Sequence, residues 1–301
     1  MVSPMHNLLT EKMGRLTNGV LMRLATYASF AAALTIIIIT LAAWAMTGSV
    51  ALLSTLIDAL TDAVSSIVNI LAVSHALKPA DRNFRFGKGK AEPLSGLFQA
   101  SFTFGSAVIL LIEAVDRIFH PAPLQRIDIG ICVMVISIVI TITLVRFQQF
   151  VVVRTSSVAI SAASLHYFGD ILINISVIIS MFIVIGFGWT IVDPCLAIAV
   201  SAFLMWNAKK VALESLEMLM DKELPDHERN NLRILALGHL GVKNVHDLRT
   251  RLSGQNGFIQ LHLEIDGAMS LRSAHNICDE VEHSIMEAYP SYEITIHQEP
   301  V

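Results

Sequence analysis

Charge is what this 301-residue chain lacks. Asp, Glu, Lys and Arg make up 15% of it, against roughly 25% in an ordinary soluble domain. Cysteine is nearly absent too. Cys132, Cys195 and Cys278 show no CxxC spacing, which excludes a disulfide scaffold, a zinc ribbon and a thioredoxin-type site and leaves three small buried hydrophobes. There is no GxxxxGK[ST] loop and no DKTG motif, so nucleotide is not the energy source; there is no HExxH, so an intramembrane metalloprotease is excluded. A net charge of −4 with a pI near 6.2 argues against nucleic acid as a partner. The N-terminal residues lack the short apolar core and small-residue cleavage site of a signal peptide, so the first apolar run is read as retained.

What is present in excess is apolar surface: 54% of residues are hydrophobic and the mean hydropathy is +0.62. Crossing about 30 Å of hydrocarbon takes roughly 20 apolar residues in a helix. Six such runs lie near 26–46, 50–77, 94–118, 128–150, 157–186 and 191–211. Lys and Arg gather before the first run (Lys12, Arg15, Arg23), after the second (Lys78, Arg82, Arg85, Lys88, Lys90), after the fourth (Arg154) and after the sixth (Lys209, Lys210). The turns at Gly48 and Gly186 carry none, and the third outer loop only Arg117 and Arg126, with His120 and Pro121 marking a helix stop. The positive-inside rule therefore puts both termini in the cytoplasm. The expected organisation is an N-terminal segment (1–25), a six-helix membrane domain (26–211) and a C-terminal cytoplasmic domain (212–301).

Two helices carry acids where lipid is the solvent. Asp58 and Asp62 lie inside the second run, and each intramembrane Asp costs about 2.5–3.5 kcal/mol to insert. Four residues apart, they share one helix face. The fifth run repeats the spacing in "HYFGD", with His166 and Asp170 at comparable depth. Two helices thus offer one imidazole and three carboxylates, a four-ligand cage for a divalent cation. One nitrogen with three oxygens suits Zn²⁺ first and Fe²⁺ second, and admits Cd²⁺, Co²⁺ or Mn²⁺. Asn69, on the same helix as the two Asp, is read as an interhelical hydrogen bonder.

Expelling a doubly charged ion against an inside-negative potential costs about 4.6 kcal/mol per 100 mV, and each proton returned offsets half of it. His166 ligates metal only when neutral, so it is the candidate proton exchanger. A channel, which needs no coupled proton, and a metal sensor working through its tail alone are the competing functions.

After about Pro225 the pattern changes. An amphipathic helix, two alternating strands turning at 254–257, a second helix and a last strand read as an αββαβ domain, α+β and close to a ferredoxin-like half. In the second strand Ile259, Leu261, Leu263 and Ile265 share one face and leave His262 on the other. His297 and Glu299 emerge together from the last strand, His246 begins the first, and His275 lies on the helix between. This concentration points to a cytoplasmic metal site. A domain this small gains stability from dimerisation or bound metal.

"DALTD", "HYFGD", "GKGKAE", "HDLRTR", "IQLHLE" and "IHQEP", together with six spans, resemble the cation diffusion facilitator family, in particular its bacterial ferrous-iron and zinc efflux branch. The resemblance covers nearly the whole chain. It implies a homodimer in the bacterial inner membrane exporting divalent metal in exchange for protons, with transport ligands at Asp58, Asp62, His166 and Asp170. It also implies a binuclear zinc site in the tail, with Glu299 where Asp is usual, and a charge interlock between Lys90 and Asp221. The loop "PADRNFRFGKGKAE" keeps Asp81 but has Phe84 and Lys88 where relatives carry His ligands. A loop metal site is therefore expected to be lost, with the Lys88 ammonium a candidate substitute for the missing charge beside Asp81.

Overall fold

A computed structural model describes residues 4–47, 50–119, 128–189 and 191–301. Gly48, His120, Pro121 and Arg126 fall outside them. The chain divides into two compact units, one built of residues 18–78 and 91–216, the other of residues 4–17, 79–90 and 217–301.

The apolar helices are α1 (Pro4–Thr47), α2 (Val50–Ala76), α3 (Ala91–Phe119), α4 (Asp128–Thr155), α5 (Val158–Phe187) and α6 (Val192–Leu219), and the first unit holds all of them except the start of α1 and the last three residues of α6. Each is long and apolar enough to cross a membrane. Two of them outrun the expected limits: α1 is already helical at Pro4 and α6 runs to Leu219, eight residues past 211. Helices end where backbone hydrogen bonding ends, not where hydropathy falls.

Packing is inverted relative to a soluble protein. Small side chains fill the helix contacts, with Ala25, Ala100, Ala107, Ala159, Ala162 and Ala208 at 2% exposure or less, while Ile38, Ile109, Phe182 and Ile185 face outward. With lipid on the outside, close backbone approach holds the helices together instead of apolar burial. Gly169 on α5 shows how close that approach is: a Cβ there would stand 2.8 Å from Leu204 Cδ2 of α6. Polar pairs add specific contacts. Ser95 Oγ donates to Asn69 Oδ1 (3.4 Å), the interhelical role expected of Asn69, and Gln148 Nε2 donates to Ser29 Oγ (2.9 Å).

In the second unit, α7 (Asp226–Leu237) and α8 (Leu271–Ala288) cover one face of a three-stranded sheet. Its strands are β1 (Val242–Ser253), β2 (Asn256–Ile265) and β3 (Tyr292–Pro300), in spatial order β1-β2-β3. β1 and β2 form an antiparallel hairpin, with Gly254 at φ 60° in its tight turn. β2 and β3 are parallel, and α8 makes the crossover that a parallel pair requires. The domain is α+β as the sequence pattern indicates, with a mixed sheet. Leu232 and Ala236 of α7 meet Val245, Ile259, Leu261 and Leu263 of the sheet and Val281 and Ile285 of α8 in one core. The period-two pattern of β2 leaves the opposite face polar.

Candidate metal sites

Between the membrane helices, His166 Nε2 lies 2.8 Å from Asp62 Oδ1 and 4.0 Å from Asp170 Oδ2. Donor atoms of these three residues all fall within 4.8 Å of one another. The i, i+4 spacing on α5 presents His166 and Asp170 together, and α2 brings Asp62 across from them. Ligand atoms around a tetrahedral zinc with bonds of about 2.0–2.1 Å are separated by about 3.3 Å. The cluster is therefore of the right size after small adjustments. Asp58, one turn along α2, is not in the three-residue cluster, though it faces Asp62 and comes within electrostatic reach of Asp170.

Neighbouring side chains hold this geometry. The Tyr167 and Ser66 hydroxyls are 2.8 Å apart, fastening α5 to α2 beside the cluster, and the Phe102 ring meets His166 edge-on with centroids 5.8 Å apart. Sequence reasoning did not anticipate Glu113 of α3. It lies within electrostatic reach of Asp58 and pairs with Arg117 at 2.6 Å. Because it sits outside any DxxxD-type spacing, only packing reveals it.

In the C-terminal domain, His246, His262 and Glu299 form a second cluster on the polar face of the sheet. His246 and His262 are cross-strand partners, and His262 pairs in register with His297. His262 Nδ1 to Glu299 Oε1 is 2.7 Å, and His246 Nε2 to Glu299 Oε2 is 3.1 Å. That contact with His262, with the His246 and His297 rings nearby, holds the Glu299 carboxyl below the usual carboxylate range. His246 stands four residues into β1 instead of at its start, because pairing already begins at Val242 opposite Ile265. Two further acids join the cluster: Glu264 Oε1 lies 3.1 Å from His246 Nδ1, and Asp247 Oδ2 lies 3.7 Å from His262 Nε2. Glu264 was legible in principle, since it is two residues from His262 on the same strand face. Asp247 was not, because it reaches the cluster through a β-bulge with φ 45°.

His275 stands apart within one chain. Its helix, α8, covers the apolar face of the sheet, and its imidazole lies 3.6 Å from Asp279 instead. The remaining donor set fits zinc. His246 Nδ1 is buried and, among the described residues, makes no hydrogen bond of good geometry even with Glu264 beside it. An imidazole nitrogen buried in that way among carboxylates suits a cation.

The loop 79–90 packs within the second unit. Lys88 Nζ donates to Asp81 Oδ2 at 2.8 Å and lies 4.4 Å from the centre of the Phe84 ring, while Asp81 Oδ1 accepts from the N–H groups of Asn83 and Phe84. The Lys88 contact, followed by those two N–H groups, keeps the Asp81 carboxyl below its ordinary range. Phe86 meets Phe258 of β2 edge-on at 5.6 Å, and the Arg251 guanidinium lies over both rings. Gly89 passes so close to β1 that a Cβ would stand 2.0 Å from the Ser253 carbonyl oxygen. Lys90 Nζ lies 3.0 Å from Asp221 in the same chain and donates to the Leu219 carbonyl. Asp221 also meets Arg251 at 3.4 Å.

Residues 26–220 match the cation efflux transmembrane domain, and residues 224–301 match the cytoplasmic domain of cation efflux proteins. The chain belongs to the cation efflux family. The cation-efflux pump FieF of Shewanella oneidensis is 38% identical over 279 residues, which is 93% of this chain and 94% of that protein. The FieF pump of Klebsiella pneumoniae is 37% identical over 282 residues, 94% of each chain. A solved cytosolic domain of a cation diffusion facilitator protein is 28% identical, covering 25% of this chain and 90% of its own, with a TM-score of 0.24. The protein is thus a multi-pass membrane cation efflux transporter, not an enzyme, and its C-terminal domain is the family's dimer-forming module.

Proposed function

We propose that this transporter exports divalent metal in exchange for protons, with zinc the first substrate, ferrous iron the second, and cadmium also accepted. The observation that carries the reading is the contact between His166 Nε2 and Asp62 Oδ1 at 2.8 Å. A single ring nitrogen is involved: its lone pair either holds a proton shared with Asp62 or ligates metal, never both. Metal arriving at Asp62, Asp170 and Asp58 displaces that proton, and reprotonation of His166 weakens the cage and releases the metal. Opening the site alternately to the two sides turns this competition into exchange. Loading from the cytoplasm is supported by the charge pattern, since Lys and Arg gather on the side of the two termini, and the membrane would be a bacterial inner membrane.

The C-terminal cluster would hold zinc through His246, His262 and Glu299, with His297 close enough to contribute to a second ion and His275 available only to a site completed by another copy of the chain. In the homodimer this metal joins the two domains. The loop 79–90 takes no metal: Lys88 supplies positive charge to Asp81. The test compares zinc flux in proteoliposomes for Asp62→Asn and His262→Ala. Transport through the membrane site predicts that Asp62→Asn abolishes flux while His262→Ala retains it at saturating zinc. The reverse pattern would make the tail a sensor and the membrane acids packing groups.

A further inference from the structure

Helix α5 carries His166 and Asp170, and its axial position is decided at its first turn. An α-helix leaves four backbone N–H groups without partners at its N-terminus, and such groups are costly where water is scarce. The α4–α5 link consists of Ser156 and Ser157 alone, with Ser156 at φ 50°. Such a link is too short to fold back over the helix end. Ser157 Oγ accepts from the Ile160 N–H at 3.3 Å. Two further N–H groups, those of Val158 and Ala159, and the Ser157 hydroxyl are taken by a residue from another helix, Glu92 in the first turn of α3.

Glu92 is 1% exposed, and none of the membrane or tail metal clusters includes it. Its Oε2 is buried with no hydrogen-bond partner among the described residues, so the donors of α5 converge on Oε1. One turn along α3, a Cβ on Gly96 would stand 3.0 Å from Val158 Cγ1 and 2.8 Å from Ser215 Oγ. The start of α3 therefore abuts the start of α5 with no slack. From Val158 to His166 is eight residues, about 12 Å of hydrogen-bonded helix. A shift of the first turn is thus passed to the imidazole undiminished.

We propose that Glu92 is a positioning residue for metal transport: it holds the N-terminus of α5 from α3, and so sets the depth and roll of His166 and Asp170 against Asp62 of α2. A carboxylate contributed by the helix's own link could cap those N–H groups but could not fix α5 relative to α3. The proposal rests on the reading of Asp62, His166 and Asp170 as the transport site.

The experiment uses the full chain in nanodiscs and proteoliposomes, in a His262→Ala background so that Co²⁺ absorption reports the membrane site. Glu92→Gln keeps an accepting oxygen at the same reach, whereas Glu92→Asp withdraws it by one methylene. Glu92→Gln should keep the zinc KM within about threefold of the parent, while Glu92→Asp should raise it at least about tenfold, the scale seen when support for a metal ligand is lost. The Co²⁺ band should shift in Glu92→Asp and stay in place in Glu92→Gln. A Glu92→Asp protein with the parent KM and an unshifted band, even one that unfolds at lower temperature, would make Glu92 a cap and nothing more. Asp62→Asn separates the two ideas. If it leaves the Co²⁺ band intact, the site reading fails; if it abolishes the band while Glu92→Asp leaves it unmoved, only the role of Glu92 fails.

Discussion

Replacing Gly169 by Ala adds one carbon at the α5–α6 contact, between the two α5 residues of the membrane cluster. The new Cβ would lie 2.8 Å from Leu204 Cδ2, 3.2 Å from Cδ1 and 3.6 Å from Cγ. Apolar carbons rest about 3.5–4.0 Å apart, so the nearest pair overlaps by roughly 1 Å. Leu204 is 3% exposed and next to Phe203, whose ring packs at 6.1 Å on Phe168, so the leucine has little room to yield. The helices must part or α5 must roll. Overpacking of this kind costs about 1–3 kcal/mol, and a roll displaces His166 and Asp170 from Asp62. Gly169→Ala is expected to lower the thermal midpoint in nanodiscs and to raise the zinc KM. Shortening the obstructing side chain should undo this: Gly169→Ala with Leu204→Ala should recover both properties relative to Gly169→Ala, with a coupling of about 0.5–3 kcal/mol. A single variant with parental stability and KM, or a double variant no better than Gly169→Ala, would refute the close-approach argument.

Two other regions give sharp expectations. Hydrogen exchange of residues 79–90 should be unchanged by a zinc chelator and should accelerate in Lys88→Ala, since an ion pair and not a metal holds Asp81; acceleration on chelation in the parent protein would contradict this. The pH dependence has a definite sign. Because the Asp81 carboxyl is held below its ordinary range by Lys88 first and by the Phe84 and Asn83 N–H groups next, its contribution is complete above about pH 4 and is lost only as pH falls through the lowered value. Loop protection at pH 5 should therefore equal that at pH 7. In the C-terminal domain, His262→Ala removes the side chain bonded to Glu299, and zinc binding there should weaken by at least about tenfold in calorimetry; unchanged affinity would remove His262 from the ligand set.

Much of this architecture was legible because the signals were local. Six apolar runs, two i, i+4 pairs and an alternating β2 each depend on residues a few positions apart, and the periodicity of a helix or strand turns that spacing into a shared face. The departures come from what local pattern does not carry, chiefly contacts between distant segments. Helix α6 runs eight residues past 211, and α1 is helical from Pro4, because hydropathy marks where lipid ends, not where hydrogen bonding ends. Asp247 joins the histidines through a bulge, and His275 is carried away from them because α8 packs on the other face of the sheet. Glu113 and Glu92 were hidden for the same reason. An acid in an apolar helix advertises a cost, but its partners, Arg117 in one case and the first turn of α5 in the other, are assembled only by packing.

The measurement that bears most directly on the mechanism is zinc flux into proteoliposomes containing the wild-type chain, with and without an imposed proton gradient, while an internal dye follows the counterflow of protons. Exchange at His166 predicts flux that rises with the gradient and protons that move opposite to zinc. Zinc flux indifferent to the gradient, with no proton movement, would contradict it and leave an uncoupled facilitator.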